Sequence, residues 1–380
     1  MGSPRDVSRR GFLRTAGASL LASPLASSAL ALQVPEISLP ELPGRKLGWA
    51  VVGLGRLAIF QILPALRTCQ RSRLSAFVSG SPDKARHMAT LYGLDPGRIY
   101  SYETFDRIAA DPDIDVVYVV LPNSMHAEYT IRALRAGKHV LCEKPMALNP
   151  RECEEMIAAA RTAGRKLMIG YRLHYEPFNQ ALTEIAHDTS EMGHTRVILA
   201  DAGFSIGDPA QWRLRRKMAG GGSLMDIGIY ALQATRYLSG EEPVEVSAMM
   251  HSTPGDPRFT EVEENVTFHL RFPSGILANC TSSYGVPANR FRVLKPQGAA
   301  ELEPALNYTG LRMRVLRGGS VEERPQRVVD HFAAEMDHLS ECVLSGSEPV
   351  TPGEEGLRDL RIMTAIYEAA RSGGTVKLTA

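Results

Sequence analysis

Residues 47–58 read LGWAVVGLGRLA and carry the strongest structural signal in the chain. The first six form an unbroken run without charge, the pattern of a strand buried on both faces of a parallel sheet. Gly53-Leu54-Gly55-Arg56-Leu57-Ala58 then ends the strand, and residues 58–69 place apolar side chains at helical spacing. A strand, a glycine turn and a helix in direct succession form an arrangement in which backbone amides and the positive helix end receive a pyrophosphate. Gly53 and Gly55 let the backbone come close to phosphate oxygens, and Ala58 lets the helix pack closely on the strand. Arg56 and Leu57 complete this candidate cofactor turn. The plainer reading of the same residues is a tight structural turn.

Outward from this turn the alternation of strand and helix continues. Residues 74–78 read as a second strand, 81–92 as a helix opened by Ser81-Pro82-Asp83, and 114–120 as an apolar central strand. A helix through Ala136, a strand over 139–142, a helix over 150–163 and a strand over 166–169 complete a doubly wound parallel sheet of the Rossmann type. Its domain is placed at residues 46–170. The second strand ends in Ser79-Gly80-Ser81, with Lys84 one turn into the helix and no carboxylate between Leu74 and Pro82. A missing acid, a hydroxyl at Ser79 and an ammonium at Lys84 suit the extra phosphate of NADP better than the free ribose of NAD. Alternatively, Ser81 caps the helix and Lys84 is solvated. Residues 171–380 read as an α+β domain for substrate binding and oligomerisation. Strand-like runs at 197–200, 244–250, 265–272, 276–282, 291–294 and 313–316 predict a mostly antiparallel sheet. A helix over 223–238 interrupts them. Two helices, over 328–345 and 353–371, close the chain, and the last is expected to pack back on the first domain.

Composition bounds the rest. A chain of 380 residues with 44% apolar side chains holds two to three domains at about 100–200 residues each. Forty-three basic against 42 acidic residues give a net charge of +1, so no global field draws in nucleic acid. Five cysteines without a C-x-x-C pair argue against a disulfide framework, and no Cys/His cluster has metal-ligand spacing. Ser8-Arg9-Arg10-Gly11-Phe12-Leu13-Arg14 precedes a weakly apolar stretch ending in Ala29-Leu30-Ala31. This resembles a twin-arginine export signal over residues 1–31, cleaved after Ala31, which leaves no membrane anchor and requires the export machinery as a partner. A basic N-terminus or an uncleaved anchor are the other readings. Such a passenger folds in the reducing cytosol and keeps free thiols. Residues 32–45 form a proline-rich arm or linker. Asn-x-Thr triplets at Asn265, Asn279 and Asn307 are read as incidental.

Three further motifs carry the chemistry: Pro122-Asn123-x-x-His126, Glu143-Lys144-Pro145, and Asp226-x-Gly228-x-Tyr230 after the triple glycine 220–222. Together with the glycine turn they resemble the glucose–fructose oxidoreductase/inositol dehydrogenase/MocA family over nearly the whole chain. Oxidising an alcohol carbon needs a group that takes the hydroxyl proton as hydride leaves. A phenol such as Tyr230 does this poorly at neutral pH unless a cation, here Lys144, favours the phenolate. Asp226 and Tyr230 are four residues apart, hence on one helix face. The resemblance implies that Lys144, Tyr230 and Asp226 are catalytic and meet at the nicotinamide, with Lys144-Pro145 joined by a cis bond. It adds Leu121, Asn123, His126, Glu143, Lys144 and Arg172 to the cofactor contacts. Sugar contacts are Lys144, Asp226 and Tyr230, joined by Arg172, His174 and Tyr175 after a strand end and by Trp212, which suits stacking on a pyranose. Arg213, Arg215 and Arg216 beside Trp212 face phosphate, sugar or solvent. Asp226 is also placed to cap the helix, Lys144 to pair with Glu143 on the surface, and Tyr230 to fill the core. Many relatives carry His at the position of Tyr230, which points to the glucose–fructose branch.

The export signal and the chemistry combine. The periplasm holds no useful pool of free NADP, so an exported enzyme must carry its nucleotide with it and recharge it with a second substrate. The expectation is a periplasmic sugar oxidoreductase with tightly bound NADP. It oxidises an aldose such as glucose to its lactone, then reduces fructose or another aldose to the alditol, in ping-pong order. The resemblance implies a homodimer or homotetramer and an arm that helps bury the nucleotide. Two rival readings are an NADP-dependent aldose or polyol dehydrogenase with exchangeable cofactor and a non-catalytic NADP-binding sensor.

Overall fold

The computed structural model describes residues 44–378. The stretch read above as an export signal, and the expected arm up to residue 43, lie outside the described residues.

The first sheet is built from β1 (Leu47–Val52), β2 (Ser72–Val78), β3 (Ile99–Tyr100), β4 (Val116–Val119), β5 (His139–Glu143) and β6 (Leu167–Gly170). All pairs are parallel, in the order β3-β2-β1-β4-β5-β6. Every residue of β1 and β4 is buried, which explains their unbroken apolar sequence. The intervening helices are α1 (Leu63–Thr68), α2 (Pro82–Tyr92), α3 (His126–Arg135) and α4 (Pro150–Ala163). Strand order reverses between β1 and β4, and the crevice beyond their carboxyl ends is where such sheets take ligands.

The remaining elements are α5 (Pro177–His187), β7 (Val197–Gly203), α6 (Arg216–Ala219), α7 (Ile229–Ser239), β8 (Glu245–His251), β9 (Asn265–Arg271) and β10 (Leu277–Ser283). They continue with β11 (Ala288–Lys295), β12 (Gly298–Leu302), β13 (Met313–Arg317), β14 (Ser320–Glu323), α8 (His331–Ser345), α9 (Gly353–Ser372) and β15 (Thr375–Lys377). Nine strands form the second sheet in the order β14-β13-β12-β11-β7-β10-β9-β8-β15, antiparallel throughout except for β7 beside β10. In β9, Val266, Phe268 and Leu270 point into the core while Thr267, His269 and Arg271 face out. The inward face meets α5, α7 and α9 in one continuous core.

The chain does not respect a boundary at residue 170. Helix α9 packs beside α4 and β6, and its Glu354 pairs with Arg161 of α4 at 2.8 Å. More of the chain returns than the sequence indicated, because α8 closes the opposite face. Phe332, Met336 and Leu339 pack with Trp49, Tyr118 and Leu141. Asp337 accepts from the Gln70 and Arg71 amides at 2.6 and 2.8 Å, and Ser340 accepts from the Trp49 indole at 3.1 Å. The apolar stripe of α8 announces a buried helix but not which sheet it covers. The short strands β3, β12, β14 and β15 also escaped the sequence pattern.

Candidate functional site

At the end of β1, Gly53 adopts φ +94°, and a Cβ there would lie 2.3 Å from the Val120 carbonyl oxygen. Only glycine lets β1 and β4 end this close together. Gly55 differs: a Cβ there would meet nothing within 4 Å, so its backbone borders open space at the start of the following helix. That open cradle beneath unpaired helix-start amides fits a dinucleotide pyrophosphate. Arg56 is exposed and Leu57 half-buried beside it. Lys84 reaches over the turn, its ammonium 3.4 Å from the Leu54 carbonyl oxygen. Ser79 is buried and its hydroxyl accepts from the Ser81 amide at 3.1 Å, so it shapes the loop in which Lys84 is the available cation. Ser81 makes no side-chain cap, which removes the capping alternative. We expect Lys84→Glu to lower NADP affinity about 10-fold or more while sparing NAD, because a carboxylate repels the 2′-phosphate; nucleotide titration checks this.

Across the crevice, β5 delivers Glu143 and Lys144, and the Lys144–Pro145 bond is cis. The Lys144 ammonium donates to the Asp226 carbonyl oxygen at 2.6 Å and lies 3.5 Å from its carboxylate. It also sits over the Tyr230 ring, 4.7 Å from the centroid. Lys144 is therefore no surface partner of Glu143. Burial pulls its pKa down, but Tyr230, Asp226 and Glu143 outweigh that, and the ammonium is held above its ordinary range. Arg172 reaches the hydroxyl of Tyr230, with Nε 3.1 Å from the phenol oxygen. The phenol thus has a guanidinium at its oxygen and an ammonium on its ring face.

Asp226 occupies a wide, π-helical turn, Leu224–Gly228, just before α7. Its carboxylate accepts from Arg213 Nε and the Tyr284 hydroxyl, each at 3.0 Å. Burial pushes the carboxyl up, but Arg213, Lys144 and Tyr284 hold it below the usual carboxylate range. The capping alternative fails here because Glu263 takes the helix-start amides, accepting from Gly222 at 2.9 Å and Leu224 at 3.1 Å. The glycine run permits this approach, since a Cβ on Gly222 would lie 2.1 Å from the Glu263 carbonyl oxygen.

Other expected contacts fall differently. Asn123 donates to the Ala219 carbonyl at 2.9 Å, and the His126 ring nitrogens lie 2.8 Å from the Pro145 and Leu121 carbonyl oxygens. Both side chains are buried and hydrogen-bonded to backbone carbonyls, and so brace the loops around the site. Leu121 is buried against Gly53. Glu143 is buried and accepts from the Tyr118 hydroxyl at 2.8 Å, which directs it beneath the sheet end. Tyr175 belongs to the core under α8, where its hydroxyl meets Thr351 at 3.2 Å and its ring meets His338; this corrects its assignment to the sugar pocket. His174 binds Gln233 at 2.9 Å, one turn along α7 from Tyr230. Trp212 is half-buried, with Arg213 stacked on its ring at 4.6 Å, and so stands beside Asp226. Arg215 and Arg216 turn away to Glu261. Sequence reasoning missed Tyr284, Tyr308 and Glu263, and left Arg213 without a partner. Tyr308 packs its ring on Arg172, 4.8 Å from the guanidinium carbon. No local pattern marks these residues, which arrive from separate loops and strand ends.

Among known proteins, the family described as an oxidoreductase family with an NAD-binding Rossmann fold (GFO/IDH/MocA) matches residues 47–171. The GFO/IDH/MocA C-terminal domain matches residues 186–301. The chain is 31% identical over 337 residues to D-xylose 1-dehydrogenase (NADP+) of Haloarcula marismortui, covering 87% of this chain and 92% of that protein. It is 27% identical over 336 residues to 1,5-anhydro-D-fructose reductase of Ensifer adhaerens, covering 87% and 98%. In structure it superposes on aldose–aldose oxidoreductase of Caulobacter crescentus, complexed with glycerol, with TM-score 0.86 and 53% identity over 88% of this chain and 100% of that one. With both domains matched and the lysine, aspartate and tyrosine gathered at the mouth of the crevice, the chain belongs to the GFO/IDH/MocA oxidoreductase family and is an NAD(P)-dependent oxidoreductase acting on sugars.

Proposed function

We propose that this protein is an exported sugar oxidoreductase that keeps NADP bound while it oxidises one aldose to a lactone and reduces a second sugar to an alditol. The observation that carries the chemistry is the Lys144–Asp226–Tyr230–Arg172 cluster at the carboxyl end of β5. Bound nicotinamide supplies the hydride acceptor and donor. The chain's own residues handle the proton. Tyr230 takes it from the sugar hydroxyl in the oxidative half-reaction and returns it to the carbonyl oxygen in the reductive one. Arg172 and Lys144 stabilise the charge on the phenol oxygen between the two, and Asp226 fixes the ammonium in place. Trp212 beside Asp226 provides a flat face for a pyranose ring.

Lys84 over the glycine turn, with no acid at the end of β2, supports NADP, as do the NADP-dependent relatives. Two sugars in one site is supported by the likeness to aldose–aldose oxidoreductase, and retention of the nucleotide by the twin-arginine signal, since export separates the protein from the cytosolic pool. The same reading makes the protein a homodimer or homotetramer, for which the outward sheet face with Met249 and Leu277 exposed is available. The test is the absorbance of the purified protein after extensive desalting. Retained nicotinamide should be reduced by D-glucose and reoxidised by D-xylose or D-fructose with no nucleotide added. Loss of the nucleotide on desalting, with activity restored only by free NADP, favours a conventional dehydrogenase, the reading supported by the D-xylose 1-dehydrogenase relative.

A further inference from the structure

Arg172 is gripped on every side. Besides its Nε contact to Tyr230, one terminal nitrogen donates to the Leu306 carbonyl at 2.6 Å and the other lies 3.2 Å from Nδ1 of His331, the first residue of α8. A guanidinium can only donate, so Nδ1 of His331 must present its lone pair. The other ring nitrogen, Nε2, lies 2.9 Å from the Tyr308 carbonyl oxygen, which can only accept, so Nε2 carries the proton. The two partners leave one state for this ring: neutral, with hydrogen on Nε2. Burial, then the Arg172 charge, keep it neutral by pulling its pKa down to about 4. Tyr308 and Phe332 flank the guanidinium at 4.8 and 5.9 Å, so it has little freedom to swing.

We infer that His331 is a positioning residue for hydride transfer: by accepting from Arg172 and donating to the Tyr308 carbonyl, it fixes the guanidinium and through it the hydroxyl of Tyr230. This rests on Tyr230 as the proton-transfer group. It assigns a part in the reaction to a helix that otherwise covers the nucleotide-binding sheet.

Asparagine and glutamine separate the two halves of the imidazole's role. In His331→Asn the amide oxygen takes the place of Nδ1 and still accepts from Arg172. In His331→Gln the longer amide takes the place of Nε2, keeps the Tyr308 contact and abandons the guanidinium. Steady-state kinetics with D-glucose as donor and D-xylose as acceptor, with no nucleotide added, should show kcat about 10-fold lower in H331Q with KM within about 3-fold, and most of that loss restored in H331N. On a Tyr230→Phe background, H331Q should lower kcat no further. Equal losses in the two variants, or wild-type kcat in H331Q, overturn the inference. Wild-type turnover in Y230F overturns the proton-transfer role of Tyr230 and the inference with it. If H331Q does not fold, Arg172→Lys must give the same kcat loss with KM held, because it keeps the charge and loses the fork; wild-type kcat there also overturns it.

Discussion

Tyr230→Phe should leave the fold and nucleotide binding intact and lower kcat by about 100-fold or more, within the range that a positioned acid–base group contributes. The ring keeps its place over Lys144, and only the oxygen that meets Arg172 is lost. KM should move little, because the proton is in flight only in the transition state. Lys144→Ala should fall by a similar factor for a different reason. It removes the cation from the ring face and leaves Asp226 to Arg213 and Tyr284 alone. Rapid-quench or steady-state rates, with the nucleotide content of each variant measured alongside, check both. Turnover within a few-fold of wild type would remove that residue from the mechanism.

The glycine turn and β1 were legible because both are local: the strand is apolar throughout, and the turn needs glycine for reasons visible in a dozen residues. Lys144, Asp226 and Tyr230 were legible through motif spacing and the family resemblance, which locate residues but do not orient side chains. Hence the motifs put Asn123, His126 and Tyr175 in the right neighbourhood without saying which way each side chain points. Each follows a strand end, yet each side chain points back into the framework. Asp226 shows the converse. Its place near a helix start fits a cap equally well, and only Glu263, arriving from the loop before β9, decides between the two. Arg213, Tyr284, Tyr308 and His331 gain their meaning from partners far away in sequence, and no period or motif carries that information. The pairing of Arg172 with Tyr230, rather than Lys144 alone, belongs to the same class.

Arg236→Ala should cost about 3–5 kcal/mol of stability at neutral pH, the penalty for leaving buried charge without its partner. Arg236 is almost wholly buried in α7, two turns beyond Tyr230, and binds Glu242 at 2.8 Å, Glu355 at 2.9 Å and Asp359 at 2.8 Å. Asp359, fully buried in α9, also accepts from the Tyr171 hydroxyl at 2.6 Å and from Gln233 at 2.7 Å. This cluster ties the helix bearing the candidate proton-transfer residue to α9 and to the end of β6. Burial already pushes the Asp359 carboxyl above its ordinary range even with Arg236 facing it. Without the guanidinium it rises further, so the folded variant holds a proton that the unfolded chain has released, and its stability falls as pH rises through the folded-state value. Glu355 runs the other way in the wild type. Burial pushes it up, but Arg236 and Arg358 together outweigh burial and hold it low, and the share due to Arg236 is present above the ordinary glutamate range and lost on acidification. Both effects make the gap between wild type and variant widest near neutrality and narrower at about pH 5. Denaturant unfolding at the two pH values measures it. An equal gap at both would mean that Arg236 stabilises the helix pair through packing of its stem rather than through its charge.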